Sequence, residues 1–472
     1  MKSFFKFLLI ITITTFSFVY CADYLLAQTT IFPDSTDSTE GLKIYKPDKA
    51  FNGYTYFSAM NPLDPRTVLI DMEGKEVHSW PLGGVPSKML PGGSLIGSQG
   101  FIAGPEGVFV DTVSVVQVSW NGEEEWEFNH WEEVTGGDGN KVWTARQHHD
   151  LQREGNPVGY YAPHLEPLVY GGKTLILAHS PTVQAEEIGD NMIADDVIYE
   201  VDWEGNIIKE EDGGFFWRAT DHFDEMGFDD EAKEDIRRTA SRDLSFAGGV
   251  DLLHTNSASY LGPNKWYDGG DERFHPENVI MDSRKANFIA IISRETGEIV
   301  WRVGPDYSSG KPEHKLGQII GQHHAHMIPK GLPGEGNILV LDNGGIGGYG
   351  GRKLRAYSRV LEFNPITLDI VWEYSDRTGL DLLSSGENER FFTPFTGSAQ
   401  RLPNGNTIIA EGTTGAIIEV TKDKEVVWEY ISSYTSSATQ VLPVALPVEL
   451  PINPVYRAYR VPEEWLPANW NR

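Results

Sequence analysis

Six of the thirteen histidines lie in three short phrases: Gln147-His148-His149-Asp150, Leu253-His254-Thr255-Asn256-Ser257 and Gln322-His323-His324-Ala325-His326. A neutral imidazole can serve as a nucleophile, a proton carrier or a ligand to zinc, copper, iron or manganese. One chemistry open to this set is metal binding, with His149, His254, His324 and His326 as ligands and a carboxylate such as Asp150 beside them. The other uses one imidazole covalently or as an acid/base while its neighbours hold an anionic group. Arginines bear on the choice, because a guanidinium fork suits sulfate, phosphate or carboxylate. Arg146 precedes the first histidine pair, and Arg352, Arg355 and Arg359 close or follow the glycine-rich stretch 343–352. Arg352 is the candidate anion binder, while Arg355 and Arg359 read as strand-face or surface residues. The glycine stretch lacks the Gly-Lys-Ser/Thr ending of a nucleotide P-loop.

A lone histidine in a strand is more often a hydrogen-bonded structural residue than a catalyst. What raises these three phrases above that reading is the repeat in which they sit. An apolar strand, a turn and a second strand closing on Trp or its equivalent recur at 67–80, 114–126, 197–210, 288–301, 359–372 and 416–430. Each reads as a β-hairpin. A second hairpin phrase precedes three of them, at 87–97, 326–341 and 399–412. Paired hairpins make four-stranded blades, and six of these arranged radially make an all-β, six-bladed propeller, with eight blades the competing count. The innermost strands line the axis, so His149, His254 and His324 are expected to meet there. Strict alternation along a strand predicts that His149 and His324 face inward, that His326 shares the face of His324, and that His148 and His323 are structural. The insertion 209–246 is acidic and aromatic, with helical charge spacing over 229–242, and it is a candidate lid.

Composition narrows the partners. With 39 basic and 68 acidic residues the formal charge is −29, which disfavours nucleic acid and anionic membranes. Residues 1–27 read as an export signal, with Lys2 and Lys6 ahead of an apolar run from Phe7 to Tyr20; an uncleaved anchor is the alternative. Cys21, the sole cysteine, falls inside that signal, so the mature chain is expected to have no disulfide and no thiolate chemistry. Residues 28–45 read as a polar spacer, 46–440 as the propeller, and 441–472 as a C-terminal extension packing on its outside. The predicted location is periplasmic, secreted or cell-surface.

The phrases LLHTNS, QHHAHMIP followed by GNILVLDNGG, SRVLEFNP, SAQRLPNGNTIIAEGTTGAIIEV and VYRAYRVP together resemble the bacterial arylsulfotransferase family, over roughly residues 42 to 465. The resemblance implies an exported six-bladed propeller that moves a sulfuryl group from a phenolic sulfate ester to a phenol acceptor. It implies no nucleotide sulfate donor, no other cofactor, and a ping-pong route through a sulfated histidine. Carried over, His254 and His324 match channel histidines of the family and Arg352 its sulfate-binding arginine. Tyr349 and Phe392 are candidates to hold the aryl ring. The family's sulfate-accepting histidine aligns with a later inner strand, where this chain reads Thr396-Gly397-Ser398-Ala399-Gln400. His149 or His254 would then take that role, or the scaffold does other work. The catalytic set expected is thus His254, His324 and His149, acting on small molecules, with a homodimer open to it. Three other readings stand beside it: a metal-dependent propeller enzyme, a non-catalytic binding propeller, and a quinone-cofactor propeller suggested by ETGEIVW. Six blades and no adjacent cysteine pair weigh against the last.

Overall fold

The computed structural model describes residues 40–61, 64–103, 109–135, 141–182, 188–189, 192–241, 249–375, 391–434, 436–437 and 451–470. The export signal expected at 1–27 lies outside these. No helix among the described residues is long and apolar enough to cross a membrane.

Five of the six predicted outer hairpins form around a short turn; in the one predicted at 197–210 the turn forms, but the strand that pairs with Ile193–Val201 is Phe216–Arg218. In the first, Asp71 N–H donates to Lys75 O and Gly74 N–H to Asp71 O, while Asp71 Oδ1 accepts from the amides of Glu73 and Lys75. Gly74 supplies the positive φ this turn requires, and Gly122 does so in the next hairpin. Where the repeat lacks glycine, Leu368 and Lys424 adopt the same left-handed conformation, at φ 56° and 70°.

Among the described residues these hairpins join inner strands to give six blades. Blade 1 comprises Tyr54–Ala59, Arg66–Ile70 and Glu76–Trp80; blade 2 runs from Gly83–Met89 to Glu124–Phe128. Blades 3 and 4 begin on Gln147–Arg153 and Thr255–Tyr260, and blades 5 and 6 on His323–Met327 and Ser398–Arg401. The tryptophans that close the repeat explain why it is there. Trp301 of blade 4 donates its indole N–H to Pro365 O in the outer turn of blade 5. Trp372 of blade 5 does the same to Lys422 O of blade 6, and Trp428 of blade 6 to Met72 O of blade 1, each at 2.9 Å. Each indole buries apolar area between two sheets and satisfies its one donor on the next blade.

Two expected boundaries are corrected. Within 441–472, the strand Val455–Val461 does not lie on the outside: it is the innermost strand of blade 1, paired antiparallel with Tyr54–Ala59 and buried along its whole length. Within the expected spacer 28–45, Gly41–Tyr45 forms a fifth, outer strand on blade 6. A closed ring needs its last sheet completed by the far end of the chain, which local composition does not announce.

The inner strands are also bound to one another by buried charge. Asp150 of blade 3, expected as a possible metal ligand, instead pairs with Lys88 of blade 2 at 2.5 Å and Arg457 of blade 1 at 3.2 Å, and accepts from Ala258 N–H of blade 4. Burial holds the Lys88 ammonium down at about 8. Asp150→Ala would strand both cations; Lys88 can release its proton but Arg457 cannot. The expected loss is ~3–5 kcal/mol, measured as a fall in the urea midpoint at constant m-value. A loss under about 1 kcal/mol would mean that the network contributes little to stability.

Candidate active site

Four successive inner strands enter the axis through the same strained conformation. His149, His254, His324 and Thr396 all have positive φ, at 52°, 49°, 56° and 58°. Non-glycine residues rarely adopt it, and such strain persists only where the surroundings impose it. The pairing register shifts between Gln147 and Leu151, between Thr255 and Ser257, and between His323 and His326. These bulges re-aim side chains and defeat the simple alternation rule.

The consequence is a different sorting of the histidines from the one expected. His149 and His254 do meet, with ring centroids 4.7 Å apart. His148 does not point away from His149, because their Nδ1 atoms lie 2.8 Å apart. His324, expected beside His149 and His254, has no hydrogen bond or ring contact with either among the described residues. It packs against His326 at 4.4 Å and Tyr459 at 5.7 Å, and His326 Nε2 meets the Tyr160 hydroxyl at 2.9 Å. The face shared by His324 and His326 is as expected, but it belongs to a second cluster. The four-histidine metal set is therefore divided between two clusters.

His323 takes the place expected of His324. Burial first, and the Arg284 guanidinium second, hold its imidazole well below the ordinary value, and His254 also bears on it. Its Nδ1 lies 2.7 Å from Asn343 Oδ1 and its Nε2 accepts from Thr396 N–H at 3.2 Å. A proton on Nδ1 satisfies both contacts and leaves the lone pair on Nε2.

His254 is differently held. Its Nδ1 lies 2.7 Å from Asp251 Oδ2, and 19% of its side chain is exposed. Burial lowers its pKa, opposed by the Asp251 carboxylate. Burial alone would raise Asp251, but Lys285 and His254 keep it well below the usual carboxylate range. Arg284 joins the pair through its backbone N–H, which donates to His254 O at 3.1 Å, and its charge bears on both His254 and His323.

The other expected binding residues lie apart. Arg352 is exposed in the wall of a cavity of about 550 Å³ whose lining includes Tyr349, Arg355 and Arg359 but no histidine. Among the described residues no hydrogen bond or ion pair joins Arg352 to a histidine, whereas the charge of Arg284 bears on both His254 and His323. Arg355 and Arg359 are committed to Asp342, at 2.5 and 2.7 Å. Tyr349 donates its hydroxyl to Leu252 O at 2.7 Å and meets Phe228 edge-on, fixing the glycine-rich loop to the 209–246 insertion. The helix predicted there forms at Asp230–Ala240, with Asp229 capping Ala232 N–H. Phe392 is half-buried, its amide bound to Glu411 Oε1 at 3.2 Å.

The contacts of Asp251 and Arg284 with His254 were missed in the sequence, although both left a trace. Asp251 stands three residues before His254, the spacing of a local carboxylate–imidazole pair. Thr255 pairs with Ser283 across the hairpin of blade 4, so Arg284 is carried opposite His254.

The fold and site define a class: a six-bladed propeller with a cluster of buried imidazoles on its inner strands, His254 backed by Asp251 and His179 by Asp111. The sequence model of the arylsulfotransferase (ASST) family matches residues 134–433, and the chain belongs to that family. Membership implies a transferase whose substrates are small-molecule aryl sulfates and phenols. No curated protein matches the chain in sequence. Among solved structures, a protein of unknown function from Bacteroides caccae is 11% identical, covering 87% of this chain and 99% of its own, at a TM-score of 0.42. Apo AztD from Citrobacter koseri is 9% identical (87% and 98% covered, TM-score 0.35), and virginiamycin B lyase from Staphylococcus aureus 10% (85% and 89% covered, TM-score 0.31).

Proposed function

We propose that this chain moves a sulfuryl group from an aryl sulfate to a phenol acceptor through a sulfated histidine, and that the histidine is His323. The observation that carries the reading is that the Arg284 charge acts on both His323 and His254, while Asp251 Oδ2 holds His254 Nδ1 at 2.7 Å. Burial and Arg284 keep His323 neutral, as a nucleophile must be, and its tautomer leaves Nε2 as the attacking atom.

In the first half-reaction His323 Nε2 bonds to sulfur as the aryl C–O–S linkage breaks at the S–O bond. The leaving aryloxide takes a proton from His254, whose imidazolium Asp251 stabilises. Arg284 offsets charge on the equatorial sulfuryl oxygens. Thr396 N–H, released from Nε2, is left facing the transferred group. In the second half-reaction His254, now neutral, takes the proton of the acceptor phenol, whose oxygen attacks sulfur and frees His323. His149, against His254, closes that side of the pocket. Nothing in this route needs a nucleotide donor. The export signal at 1–27 fits a periplasmic or cell-surface site of action.

The test is turnover by the purified chain on 4-nitrophenyl sulfate with and without added phenol. The expected result is release of nitrophenolate that depends on the phenol and forms one phenyl sulfate per nitrophenolate. Release to water alone, or none at all over a range of phenols, would overturn the reading.

A further inference from the structure

We propose that His148, His179 and Asp196 form a binding site for a divalent metal of the zinc type, next to the histidine pocket. The three side chains are buried, at 0, 4 and 1% exposure, and their ligand atoms lie within 4.8 Å of one another. His148 Nε2 is 3.3 Å from Asp196 Oδ1, and His179 Nε2 is 4.0 Å from the same oxygen. Among the described residues neither Nε2 has a hydrogen-bond partner.

One pairing of tautomers leaves this cluster ready for a cation. His179 Nδ1 lies 2.8 Å from Asp111 Oδ1, a carboxylate that can only accept, so the Nδ1 proton is donated there and Nε2 keeps its lone pair. His148 Nδ1 lies 2.8 Å from His149 Nδ1, and when His148 is the donor its Nε2 is bare as well. In that arrangement two lone pairs face a buried carboxylate whose other partner is the Thr255 N–H at 3.4 Å. A cation placed between the three groups satisfies all of them at once.

The donor set also fits a particular kind of cation. Two imidazoles and one carboxylate are the protein ligands of many open zinc sites, with a fourth position left for water or substrate. Asp111 on His179 Nδ1 supplies the outer carboxylate that orients a metal-bound imidazole. Donor atoms of a tetrahedral zinc site stand roughly 3.3 Å apart. The His148–Asp196 separation already has that value. The two imidazoles stack at 3.8 Å with planes 21° apart, so coordination splays them and draws His179 Nε2 inward. Metal on His148 Nε2 would also fix its proton on Nδ1, making His149 the acceptor and leaving His149 with its own proton on Nε2, on the ring that meets His254.

The proposal stands apart from sulfuryl transfer, because uptake is read without substrate. The full chain, purified without chelator, is titrated with zinc chloride by calorimetry and with cobalt chloride by visible absorption. The expected result is one equivalent of zinc, cobalt bands of nitrogen and oxygen ligation without thiolate charge transfer, and a zinc-dependent rise in Tm. His179→Gln and Asp196→Asn abolish that equivalent, Asp111→Asn weakens it about 10–100-fold, and His326→Ala leaves it intact. Absence of stoichiometric uptake by the wild type overturns the site and leaves a proton on His179 as the cation. Uptake that persists in folded His179→Gln and Asp196→Asn variants overturns it equally. Should those variants fail to fold, the stoichiometry, cobalt spectrum and Tm of the wild type decide.

Discussion

His323→Asn is expected to lower kcat for aryl sulfate turnover by at least ~10³-fold, the scale on which loss of a covalent nucleophile acts. Asparagine is the informative replacement, because its amide N–H₂ can keep the bond that the imidazole Nδ1 makes to Asn343. The fold should survive, as judged by circular dichroism and by an unchanged urea midpoint. The same variant should give no sulfated protein when donor is supplied without acceptor. His324→Asn is the matching control, since His324 lies with His326 and Tyr459 in the other cluster. It should keep kcat within about tenfold of the wild type. Retention of activity by His323→Asn, with loss in His324→Asn, would restore the assignment that the sequence suggested.

Asp251→Asn is expected to cost ~10²–10⁴-fold in kcat, in the range seen when an imidazole loses the carboxylate that sets its tautomer. Its signature is chemical as well as kinetic. Burial already lowers His254, and the Asp251 carboxylate opposes that fall. Without the carboxylate, less of His254 is protonated at any given pH, so the variant needs a lower pH to supply the same fraction of acid. The loss should therefore be larger for phenyl sulfate, whose leaving group needs a proton, than for 4-nitrophenyl sulfate, whose leaving group does not. The alkaline limb of kcat/KM for phenyl sulfate should also move to lower pH. Equal losses on both donors, with an unmoved profile, would reduce Asp251 to a structural partner of Lys285.

How much of this was legible in the sequence depended on the range of the interactions involved. The outer hairpins announced themselves because alternation and turn residues are local, and the closing tryptophans marked the blade period. Ring closure was not legible, because Val455–Val461 pairs with Tyr54–Ala59 across almost the whole chain. The three histidine phrases pointed to the His149–His254 contact. They did not announce that His324 would join His326 and Tyr459 instead, since the register of the inner strand of blade 5 shifts between His323 and His326. Arg352 attracted notice by following glycines, whereas Arg284 sits in an unremarkable Ser-Arg-Lys phrase and gains its place only through hairpin register. His179 and Asp196 carried no motif at all. They meet His148 because adjacent strands of blade 3 place them side by side, His179 directly opposite Asp196 in the ladder.

The most direct measurement is the mass of the protein after brief exposure to 4-nitrophenyl sulfate in the absence of acceptor, followed by peptide mapping. The account predicts a gain of one sulfuryl group, located on His323 and discharged on addition of phenol. A gain located on His149, His254 or His324, or turnover with no covalent intermediate, would contradict it.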